Sequence, residues 1–411
     1  MRVHNTLSRR VEDLTPLEPG HIRMYTCGPT VYNFAHIGNF RAYLFEDLLR
    51  RHLKYSGFRV TQVMNLTDVD DKTIRGATAA GIPLNDYTRP FKDAFFADLK
   101  ALNIEPAEHY PEATAHVPDM IALIRRLFDK GYAYRSEDGS VYFSIAKFKD
   151  YGKLAHLDLS GLRAGARVAQ DEYEKENLAD FALWKAWDEK DGDVAWDSPW
   201  GRGRPGWHIE CSAMSSRYLG ETFDLHTGGI DNMFPHHEDE IAQSEAASGK
   251  LFVRHWMHCA HLVVDGRRMA KSLGNFHTLR DLLDRGYSGR ETRYALISAH
   301  YRQELNFTFE ALAAARASLA RLDEFKDRLR EQPGGAGRGI LPDWADKARR
   351  GFKEALDNDL GISEALAALF DMVHDGNRAM DAGATGWDAA AVLDLMDDFD
   401  RVLGVLVKPG E

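Results

Sequence analysis

The sequence predicts an α/β fold in which an insertion interrupts a parallel sheet and an α-helical bundle follows the sheet. Residues 22–27 and 59–65 are β-prone runs, and the apolar residues of segment 42–55 recur at the spacing of an amphipathic helix. Strand, helix and strand in that order form the βαβ unit of a parallel sheet. From about residue 290 onwards helical spacing dominates, most clearly in residues 311–330.

Changes of pattern along the chain divide it into four parts. Segments 1–110 and 205–265 carry the strand-to-helix pattern of the sheet, and we assign both to one domain. Segment 111–204 mixes a helix, short strands and loops rich in glycine and charge, as an insertion would. Segment 266–310 then joins the sheet domain to the helical part, residues 311–411.

The C-terminal part is predicted to be a helical bundle with a flexible connection. Residues 332–339 are rich in glycine and predict a linker, and three further helical stretches follow between residues 344 and 407. We expect segment 355–360 to begin one of these helices. A helical bundle is a common architecture, so this part by itself indicates no particular chemistry.

The composition argues against several classes of protein. The 411 residues carry a formal net charge of −11, unlike proteins that bind nucleic acid indiscriminately. Local basic clusters at residues 125–126, 163–167 and 347–350 are candidate contacts for a partner such as tRNA, although each one taken singly fits a solvated helix face at least as well. Neither a long apolar run nor a secretory signal is present. Three cysteines are an odd, sparse set that fits a reducing compartment, so we expect a cytoplasmic protein.

Segment 24–41 is predicted to bind phosphate. The strand at residues 22–27 leads through a short loop to His36 and Gly38 at the start of the following helix. Helix N-termini carry unpaired N–H groups and a partial positive charge, which attract phosphate. Neither a P-loop nor a Gly-x-Gly-x-x-Gly turn occurs, which argues against P-loop ATPases and nicotinamide dehydrogenases. The helix start and a distant loop lysine, Lys271, suit adenylate formation.

Residues 65–72 place polar and acidic side chains at the carboxyl end of the second strand. Open parallel sheets bind their ligands at that edge, so the cluster lies where a substrate is expected. Aspartate and threonine are also favoured as helix N-caps. Because Asp68, Asp70 and Asp71 stand so close together, we favour a role beyond capping.

Two cysteines, a histidine and a glutamate form a candidate metal site. His236 and Glu240 are four residues apart on a predicted helix that Pro235 opens, so they share one face. Such a pair is half of a workable zinc site, although charged helices also produce it by chance. Cys27 and Cys211 strengthen the case, because each is predicted at or near a strand end. If both strands belong to one sheet, both thiols reach the edge where the helix starts.

Other interpretations of these residues remain open. A zinc ion with four protein ligands would normally be closed and structural, unless Glu240 binds weakly or the metal accepts a fifth ligand. His237 has Ile241 four residues further on, so we expect no second ligand in that register. Cys259 lies in a strand-like segment, and we predict a buried core thiol there rather than a metal ligand.

Two short motifs resemble the signatures of the class I aminoacyl-tRNA synthetases and, within them, of the cysteinyl-tRNA synthetases. Residues 36–39, HIGN, look like the first signature in the variant that ends in asparagine, and residues 268–272, RMAKS, look like the second. The resemblance runs from Met1 to about residue 375. It implies a Rossmann-like catalytic domain with a connective insertion, a signature loop and stem-contact region at 266–310, and a tRNA-binding bundle.

The resemblance also implies a role for each candidate residue. The metal would be zinc, bound by Cys27, Cys211, His236 and Glu240. The catalytic residues would be His36, Asn39 and Lys271. The nucleotide would be bound by His36, Lys271, Gly38, Gly228 and Gly229. The cysteine pocket would be lined by Thr67, Trp207 and Asp231. In that pocket Asp231 would hold the substrate ammonium group, and Trp207 would form the wall beside the side chain.

A cysteine–tRNA ligase makes chemical sense of this set. It would activate cysteine with ATP and Mg²⁺ to cysteinyl-AMP and transfer the cysteine to the 3′ end of tRNA(Cys). Apolar contacts separate near-isosteres by only about 10²-fold. Zinc prefers a thiolate to a hydroxyl, so a metal that binds the substrate thiolate would reject serine without an editing domain. His36 would donate to phosphate oxygens, and Lys271 would neutralise the leaving pyrophosphate.

The chain departs from the family pattern at three places. Arg268 replaces the usual lysine of the second signature and keeps its charge, whereas Ala270 replaces a serine and removes one hydroxyl donor. The sequence also stops earlier than a typical member of the family. We therefore expect the usual C-terminal anticodon-binding segment to be missing.

Two other functions remain open from the sequence. One is the related ligase of mycothiol synthesis, which joins cysteine to an amino sugar and shares the metal and nucleotide sites. The other is a non-catalytic tRNA-binding paralogue, against which the complete set of His36, Lys271 and metal ligands argues. We expect a monomer without membrane contact.

Overall fold

The computed structural model describes residues 1–157, 167–168, 179–332 and 339–407, and of residues 167–168 and of Lys271 it describes the backbone alone. The predicted linker lies outside the described residues except at its two ends, 332 and 339. The basic cluster at residues 163–167 also lies outside them, apart from the backbone of its last residue.

Strands and helices are interspersed through the first three quarters of the described chain, and from Phe309 onwards its described elements are α-helices alone. The strands are Arg2–Asn5 (β1), Arg10–Asp13 (β2), His21–Thr26 (β3), Arg59–Met64 (β4), Ala133–Arg135 (β5), Val141–Phe143 (β6), Arg167–Val168 (β7), Asp180–Ala186 (β8), Gly203–Pro205 (β9), Phe223–Gly229 (β10), Val253–Cys259 (β11), Leu262–Val264 (β12), Arg267–Arg268 (β13) and Leu305–Phe307 (β14). The helices are Ile37–Tyr55 (α1), Asp71–Ala80 (α2), Leu84–Ala101 (α3), Val117–Asp129 (α4), Trp207–Leu219 (α5), His236–Ser248 (α6), Leu279–Asp284 (α7), Gly289–Ile297 (α8), Phe309–Arg330 (α9), Asp343–Asp357 (α10), Ile362–Asp381 (α11) and Ala389–Leu403 (α12). None of these described helices has the length and apolar character needed to cross a bilayer.

Four parallel strands form the central sheet in the order β11–β10–β3–β4. β3 and β4 precede the insertion and β10 and β11 follow it, so the two halves of the sheet meet between β3 and β10. Helix α1 packs Phe45 and Leu49 on the sheet, and it packs Leu44 and Leu48 with the C-terminal helices. The predicted parallel sheet is confirmed, and ligands of such sheets bind where the strand order changes direction.

The insertion forms a second, mostly antiparallel sheet. Strands β5, β6 and β8 pair antiparallel, and β8 also pairs with β9 and, in parallel, with β7. Arg204 of β9 and Lys185 of β8 both contact Asp71 at the start of α2, at 2.5 and 3.2 Å. These ion pairs hold the insertion beside the loop that follows β4.

The C-terminal part is a bundle of α9 to α12 that packs on α1. Strands β12, β13 and β14 form a small sheet; α7 and α8 lie between β13 and β14 in the chain, and the first bundle helix follows β14. Large apolar residues of the bundle, among them Leu319, Phe325, Phe352 and Phe399, belong to the same core as Leu44 of α1. The three helices predicted between residues 344 and 407 are α10, α11 and α12, so that prediction is confirmed.

Three local predictions were wrong or incomplete. Segment 355–360 ends α10 and turns, with positive φ angles of 58° at Asp359 and 53° at Leu360, instead of beginning a helix. The strand-like segment that contains Cys259, predicted as one run over residues 256–264, is divided between β11 and β12, which belong to different sheets. The β1–β2 hairpin was not predicted; it binds the edge of the central sheet, where Trp256 N–H donates to Asn5 Oδ1 at 3.0 Å.

Candidate functional site

A cavity of about 780 Å³ opens at the carboxyl ends of the central strands. Its walls come from the loops after β3, β4, β10 and β11, from the starts of α1 and α5, and from the second signature loop. Most of the predicted site residues line it, namely Cys27, His36, Gly38, Asn39, Thr67, Trp207, Cys211, Gly229, Asp231 and His236. The fold therefore brings together residues that are widely separated in the chain.

His36 is the N-cap of α1, and a capping box holds its side chain. Its Nδ1 accepts a hydrogen bond from Asn39 N–H at 3.2 Å, and Asn39 Oδ1 accepts one from His36 N–H at 3.0 Å. Because Nδ1 is an acceptor, the neutral ring carries its proton on Nε2. Asn39 thus selects the tautomer in which the His36 ring donates through Nε2.

The second signature forms a loop after β13 that reaches the same cavity. Arg268 and Met269 line the cavity, and the backbone of Lys271 begins the short helical turn Lys271–Leu273. Asn275 closes the loop, because its Oδ1 accepts from Ala270 N–H at 2.8 Å and its Nδ2 donates to Arg268 C=O at 3.2 Å. The closing contacts at Ala270 use the backbone, so they do not require the hydroxyl that this position lacks.

The two signatures touch although they are far apart in the sequence. Ile37 N–H donates to His277 C=O at 3.0 Å, and the His36 ring lies edge-on to Phe276 with centroids 5.2 Å apart. A Cβ added at Gly38 would lie 3.2 Å from Met269 Cε. The start of α1 and the second signature loop therefore form one continuous wall of the cavity.

The four predicted metal ligands converge in the structure. Cys27, Cys211, His236 and Glu240 each offer one ligand atom, these atoms lie within 4.8 Å of one another, and all four residues are buried. Two sulfurs, an imidazole nitrogen and a carboxylate oxygen are donors that zinc accepts in tetrahedral sites. The residues present therefore fit a metal ion.

Cys211 reaches this group from a helix, so its predicted position at a strand end was wrong. It lies in the second turn of α5, which follows β9 after one residue. Residues 208–215 of this helix are buried on every side. A helix that is buried all round shows no amphipathic periodicity, and the sequence pattern therefore did not reveal it.

A second group of potential ligands overlaps the first. Ligand atoms of Cys27, His226, His237 and Glu240 also lie within 4.8 Å of one another. His237 Nε2 is 3.2 Å from Cys27 Sγ, and His226 Nε2 is 3.0 Å from Glu240 Oε2. Residue 241, four positions after His237, is an isoleucine, so its own helix offers no second ligand in that register; His237 instead contacts Cys27, which directly follows β3.

Burial controls the protonation of this group. It raises the pKa values of the Cys27 and Cys211 thiols and raises the pKa of Glu240 to about 8. It also lowers the pKa values of His226 and His237. All of these shifts favour neutral side chains. A divalent cation would oppose the first three shifts, because it binds thiolates and carboxylates in their anionic forms.

Residues of the insertion bind the acidic side chains in the first turn of α6. Glu238 accepts hydrogen bonds at 2.7–2.9 Å from three backbone N–H groups of residues 152–155. Asp239 accepts one from the Tyr151 hydroxyl at 2.6 Å. These contacts fix the rotation of α6 about its axis, and with it the direction in which His236 and Glu240 face.

The three residues predicted for the cysteine pocket line the cavity in different settings. Trp207 stacks on His236 with ring centroids 4.2 Å apart, and Asp231 is exposed in the turn after β10. Thr67 is buried, and its hydroxyl donates to Glu210 Oε2 at 2.9 Å while it accepts from Asn65 Nδ2 at 3.1 Å. The Thr67 hydroxyl is therefore oriented by two buried neighbours.

Asn65 and Glu210 also belong to this setting, although neither was predicted individually to have a role in the site. Glu210 is fully buried. Asn65 also binds the loop after β3, because Gly28 N–H donates to its Oδ1 at 3.0 Å. The available signal was position: Glu210 directly precedes the candidate ligand Cys211, and Asn65 directly follows a central strand.

The aspartates that follow β4 serve the fold. Asp70 is the N-cap of α2, so capping was the correct interpretation for this residue. Asp68 accepts from Lys92 Nζ and Thr114 N–H, both at 2.9 Å, and Asp71 binds the insertion. None of the three is among the residues that line the described cavity, although Asn65, Thr67 and Lys72 of the same cluster are. The role beyond capping that we favoured is met at Asp68 and Asp71 by contacts that hold the fold.

The remaining predicted residues lie at the ends of β10 and β11. Gly229 lines the cavity, and a Cβ there would lie 2.4 Å from Asp231 Oδ1. Gly228 is buried, and a Cβ there would lie 2.8 Å from His237 Cε1. Cys259 is buried at the end of β11, which confirms its prediction as a core thiol, and it also borders the cavity.

The chain matches known proteins in sequence over nearly its whole length. Residues 13–317 match the family described as tRNA synthetases class I (C) catalytic domain, and residues 351–407 match the DALR domain. A cysteine–tRNA ligase of Protochlamydia amoebophila is 56% identical over 410 residues, which are 99% of this chain and 86% of that protein. One of Chlamydia pneumoniae is 53% identical over 408 residues, which are 98% of this chain and 86% of that protein.

Solved class I synthetases share the fold at low sequence identity. Methionyl-tRNA synthetase of Mycobacterium tuberculosis in complex with methionyl-adenylate has a TM-score of 0.67 at 16% identity, covering 94% of this chain and 88% of that one. The Agrobacterium radiobacter LeuRS in its ternary complex has a TM-score of 0.68 at 12% identity, covering 96% and 85%. These likenesses confirm the predicted fold class.

Proposed function

The chain belongs to the cysteinyl-tRNA synthetase family of class I synthetases, and from this premise we propose that it ligates cysteine to tRNA(Cys) in the cavity where β3 meets β10. Cysteine and ATP form cysteinyl-AMP there, and the cysteine then passes to the 3′ end of the tRNA. One observation supports this location above others: three candidate metal ligands and residues of both signatures line a single cavity.

We propose that the metal is zinc and that it serves substrate recognition. Cys27, Cys211 and His236 border the cavity, and Glu240 lies behind them. A structural zinc site is closed by its protein ligands, whereas this group faces open space on one side. When bound, zinc would take the thiolate of the substrate as a further ligand, which the hydroxyl of serine would match poorly.

The chain's own residues position the reacting groups. In the first step the cysteine carboxylate attacks the α-phosphate in line and pyrophosphate leaves; in the second a ribose hydroxyl of the tRNA attacks the carbonyl and AMP leaves. His36 Nε2–H and the N-terminus of α1 would hold phosphate oxygens, and Lys271 would neutralise the pyrophosphate. Asp231 would hold the ammonium group, and Trp207 would form the wall of the pocket.

Glycines on the cavity wall would serve the nucleotide site. Gly38 and Gly229 both line the cavity, so a nucleotide would meet backbone there instead of a side chain. A Cβ added at either position would fall within 3.2 Å of a neighbouring side chain, so a larger residue would also displace the protein's own side chains. Gly228 would act indirectly, by leaving room for His237 beneath the cavity.

We also propose a division of labour along the chain. Segments 1–110 and 205–265 form the catalytic domain, 111–204 is the connective insertion, 266–310 carries the signature loop and contacts the tRNA stem, and 311–411 binds tRNA. The DALR match at residues 351–407 supports the last assignment. All three cysteines are free and buried, which supports a reducing compartment, the cytoplasm.

Cysteine-dependent ATP–pyrophosphate exchange, followed by charging of a tRNA(Cys) transcript, tests the proposal. We expect exchange with cysteine, discrimination against serine well beyond the about 10²-fold that apolar contacts supply, and loss of exchange on zinc removal that added zinc reverses. Exchange without charging would instead favour an amino-sugar ligase. Absence of exchange in zinc-loaded protein would contradict the proposal.

A further inference from the structure

The four candidate metal ligands described above form the metal-ligand group. A chain of hydrogen bonds leads from one of them, Cys27, to the N-terminal hairpin of β1 and β2. Cys27 Sγ lies 3.2 Å from His237 Nε2, and His237 Nδ1 lies 2.8 Å from His258 Nε2. His258 Nδ1 in turn lies 2.8 Å from Thr6 Oγ1. Cys27, His237 and His258 are buried, whereas Thr6 is partly exposed in the turn that follows β1. Thr6 is therefore the outer end of a path that begins at a metal ligand.

The position of the Thr6 hydroxyl is set by backbone contacts. Thr6 N–H donates to Trp256 C=O at 2.8 Å, and Trp256 N–H donates to Asn5 Oδ1 at 3.0 Å. Trp256 lies on β11, the strand that also carries His258, so the hairpin and the histidine are held in one register. The contact between Thr6 and His258 is thus part of the sheet edge and not a chance contact of a mobile side chain.

The direction of the chain follows from the chemistry of its inner end. A cysteine that binds a metal ion is a thiolate without a proton, so His237 Nε2–H must be the donor to it. A neutral imidazole has one N–H group, so His237 Nδ1 then accepts from His258 Nε2–H. His258 Nδ1 in turn accepts from the Thr6 hydroxyl. Both rings are buried away from water, which favours their neutral forms.

We propose that Thr6 is a positioning residue for the metal site: through His258, its hydroxyl holds His237 in the tautomer that donates an N–H to the Cys27 thiolate. The inference rests on the proposed metal site. A hydrogen bond to a thiolate withdraws electron density from the sulfur, so the sulfur donates less to the metal. The metal then remains a better acceptor for the thiolate of the substrate.

Loss of the Thr6 hydroxyl should be transmitted along the chain. Without that donor, His258 is free to carry its proton on Nδ1, and His258 Nε2 then accepts from His237 Nδ1–H. His237 Nε2 would in that case present a lone pair to the thiolate in place of an N–H group. The proton that one ring nitrogen carries is set by the partner of the other nitrogen, which is how outer contacts tune metal ligands.

Cobalt-substituted full-length protein provides a readout that does not depend on catalysis. We expect Thr6→Val, which keeps the shape and removes the hydroxyl, to shift the sulfur-to-cobalt charge-transfer band to longer wavelength, because the thiolate is then more easily oxidised. Chelator competition should show cobalt affinity reduced by about tenfold, because the buried thiolate anion loses the N–H group that stabilises its charge and faces a lone pair instead, and this cost outweighs the stronger donation of the sulfur. Thr6→Ser, which restores the hydroxyl, should return both values to those of the unmodified protein.

Thr61→Val is a matched control. The Thr61 hydroxyl makes the same kind of contact, 2.9 Å from His21 Nε2, with a histidine that is not connected to the metal-ligand group. We expect this variant to leave the cobalt spectrum and the cobalt affinity unchanged. Thermal unfolding of every variant verifies that the folded protein is being compared.

The outcomes separate the inference from the function on which it rests. If the unmodified protein binds no cobalt with a sulfur charge-transfer band, the proposed metal site is wrong. If it binds cobalt and Thr6→Val has the same band and affinity, the role of Thr6 is wrong and the metal site stands. Equal changes in Thr6→Val and Thr6→Ser, or in Thr6→Val and Thr61→Val, would also overturn the role of Thr6.

Discussion

Helix α6 and the C-terminal helices are buried by opposite means. In α6 five consecutive polar residues, 236–240, are each at most 1% exposed. In α10 the buried residues are apolar and recur at intervals of three and four, as in Ala345, Ala348, Phe352 and Leu356. Helix α6 supplies two of the four candidate metal ligands, His236 and Glu240, whereas α10 belongs to the core of the bundle.

The difference shows which region supplies stability and which supplies chemistry. Burying apolar area is favourable by itself, by roughly 25 cal/mol per Å². Burying polar groups is unfavourable unless each one has a partner. The residues of α6 depend on partners from β3, β10, β11 and the insertion, so their positions are a property of the whole domain. Substitutions in the two regions should therefore have separable effects on activity and on stability.

The largest effect should follow removal of a metal ligand. We expect Cys211→Ala to lower cysteine-dependent exchange at least about 10³-fold, or about 4 kcal/mol, and to lose bound zinc, because the remaining three ligands hold the ion poorly. Elemental analysis and exchange assays measure both. Cys259→Ala is the matched control, since Cys259 is also a buried cysteine beside the cavity but lies outside the ligand group. If Cys211→Ala retained both zinc and exchange activity, the assignment of the chemistry to the region around α6 would be wrong.

The corresponding substitution in the bundle should act on stability. Phe352 is fully buried, and its ring stacks on Phe399 with centroids 4.1 Å apart. We expect Phe352→Ala to lower the free energy of unfolding by about 3–4 kcal/mol, measured by urea denaturation, while exchange at 25 °C persists. Ile340→Ala, at a residue 55% exposed, should change stability by less than about 0.5 kcal/mol. A comparable loss of exchange in Phe352→Ala would show that the regions are coupled.

Glu46 tests the cost of polar burial on the face of α1 towards the sheet. Burial raises its pKa to about 8, and its only described hydrogen bond comes from the Thr227 hydroxyl at 3.0 Å. Between about pH 4.3 and 8 the folded state holds a proton that the unfolded state releases, so stability falls as pH rises. We expect Glu46→Gln to gain up to about 1.4 kcal/mol per pH unit relative to the unmodified protein across this window.

Urea denaturation at several pH values between 5 and 8 measures this difference for Glu46→Gln. The matched control is Glu310→Gln, because Glu310 is exposed on α9 and the substitution removes the same charge. The stability difference of the control should not vary with pH. A flat difference for Glu46→Gln as well would show that its carboxyl group is not penalised by burial.

The smallest effect is expected at the second signature loop. Asn275→Ala removes two hydrogen bonds that close the loop, which together correspond to about 1–2 kcal/mol. We expect the exchange rate constant to fall about tenfold at saturation, with little change in KM for cysteine. Asn306→Ala is the control, since Asn306 closes the neighbouring turn by accepting from Gly266 N–H at 2.8 Å. Equal effects of both variants would indicate general loosening of the loops.

The predicted parts of the fold are those in which burial is periodic. Helices α9 to α12 and the βαβ unit around α1 could be predicted because their apolar residues recur at helical or strand spacing. The first signature could be placed at a helix start for a similar local reason, since His36 and Asn39 cap their own helix. The types of metal ligand were also predictable, because two cysteines, a histidine and a glutamate are compatible with few other roles.

Apart from the convergence of the four candidate metal ligands, the contacts between distant segments escaped prediction. Cys211 was predicted at or near a strand end because residues 208–215 of α5 are buried on every side and show no amphipathic periodicity. The contacts of His237 could not be predicted from its own helix, because its partners Cys27 and His258 come from the end of β3 and from β11. The sequence by itself determined the elements and the donor types, because these depend on neighbouring residues. The tertiary structure alone decided which buried polar groups meet, because sheet register and helix rotation fix distances between segments that no local pattern records.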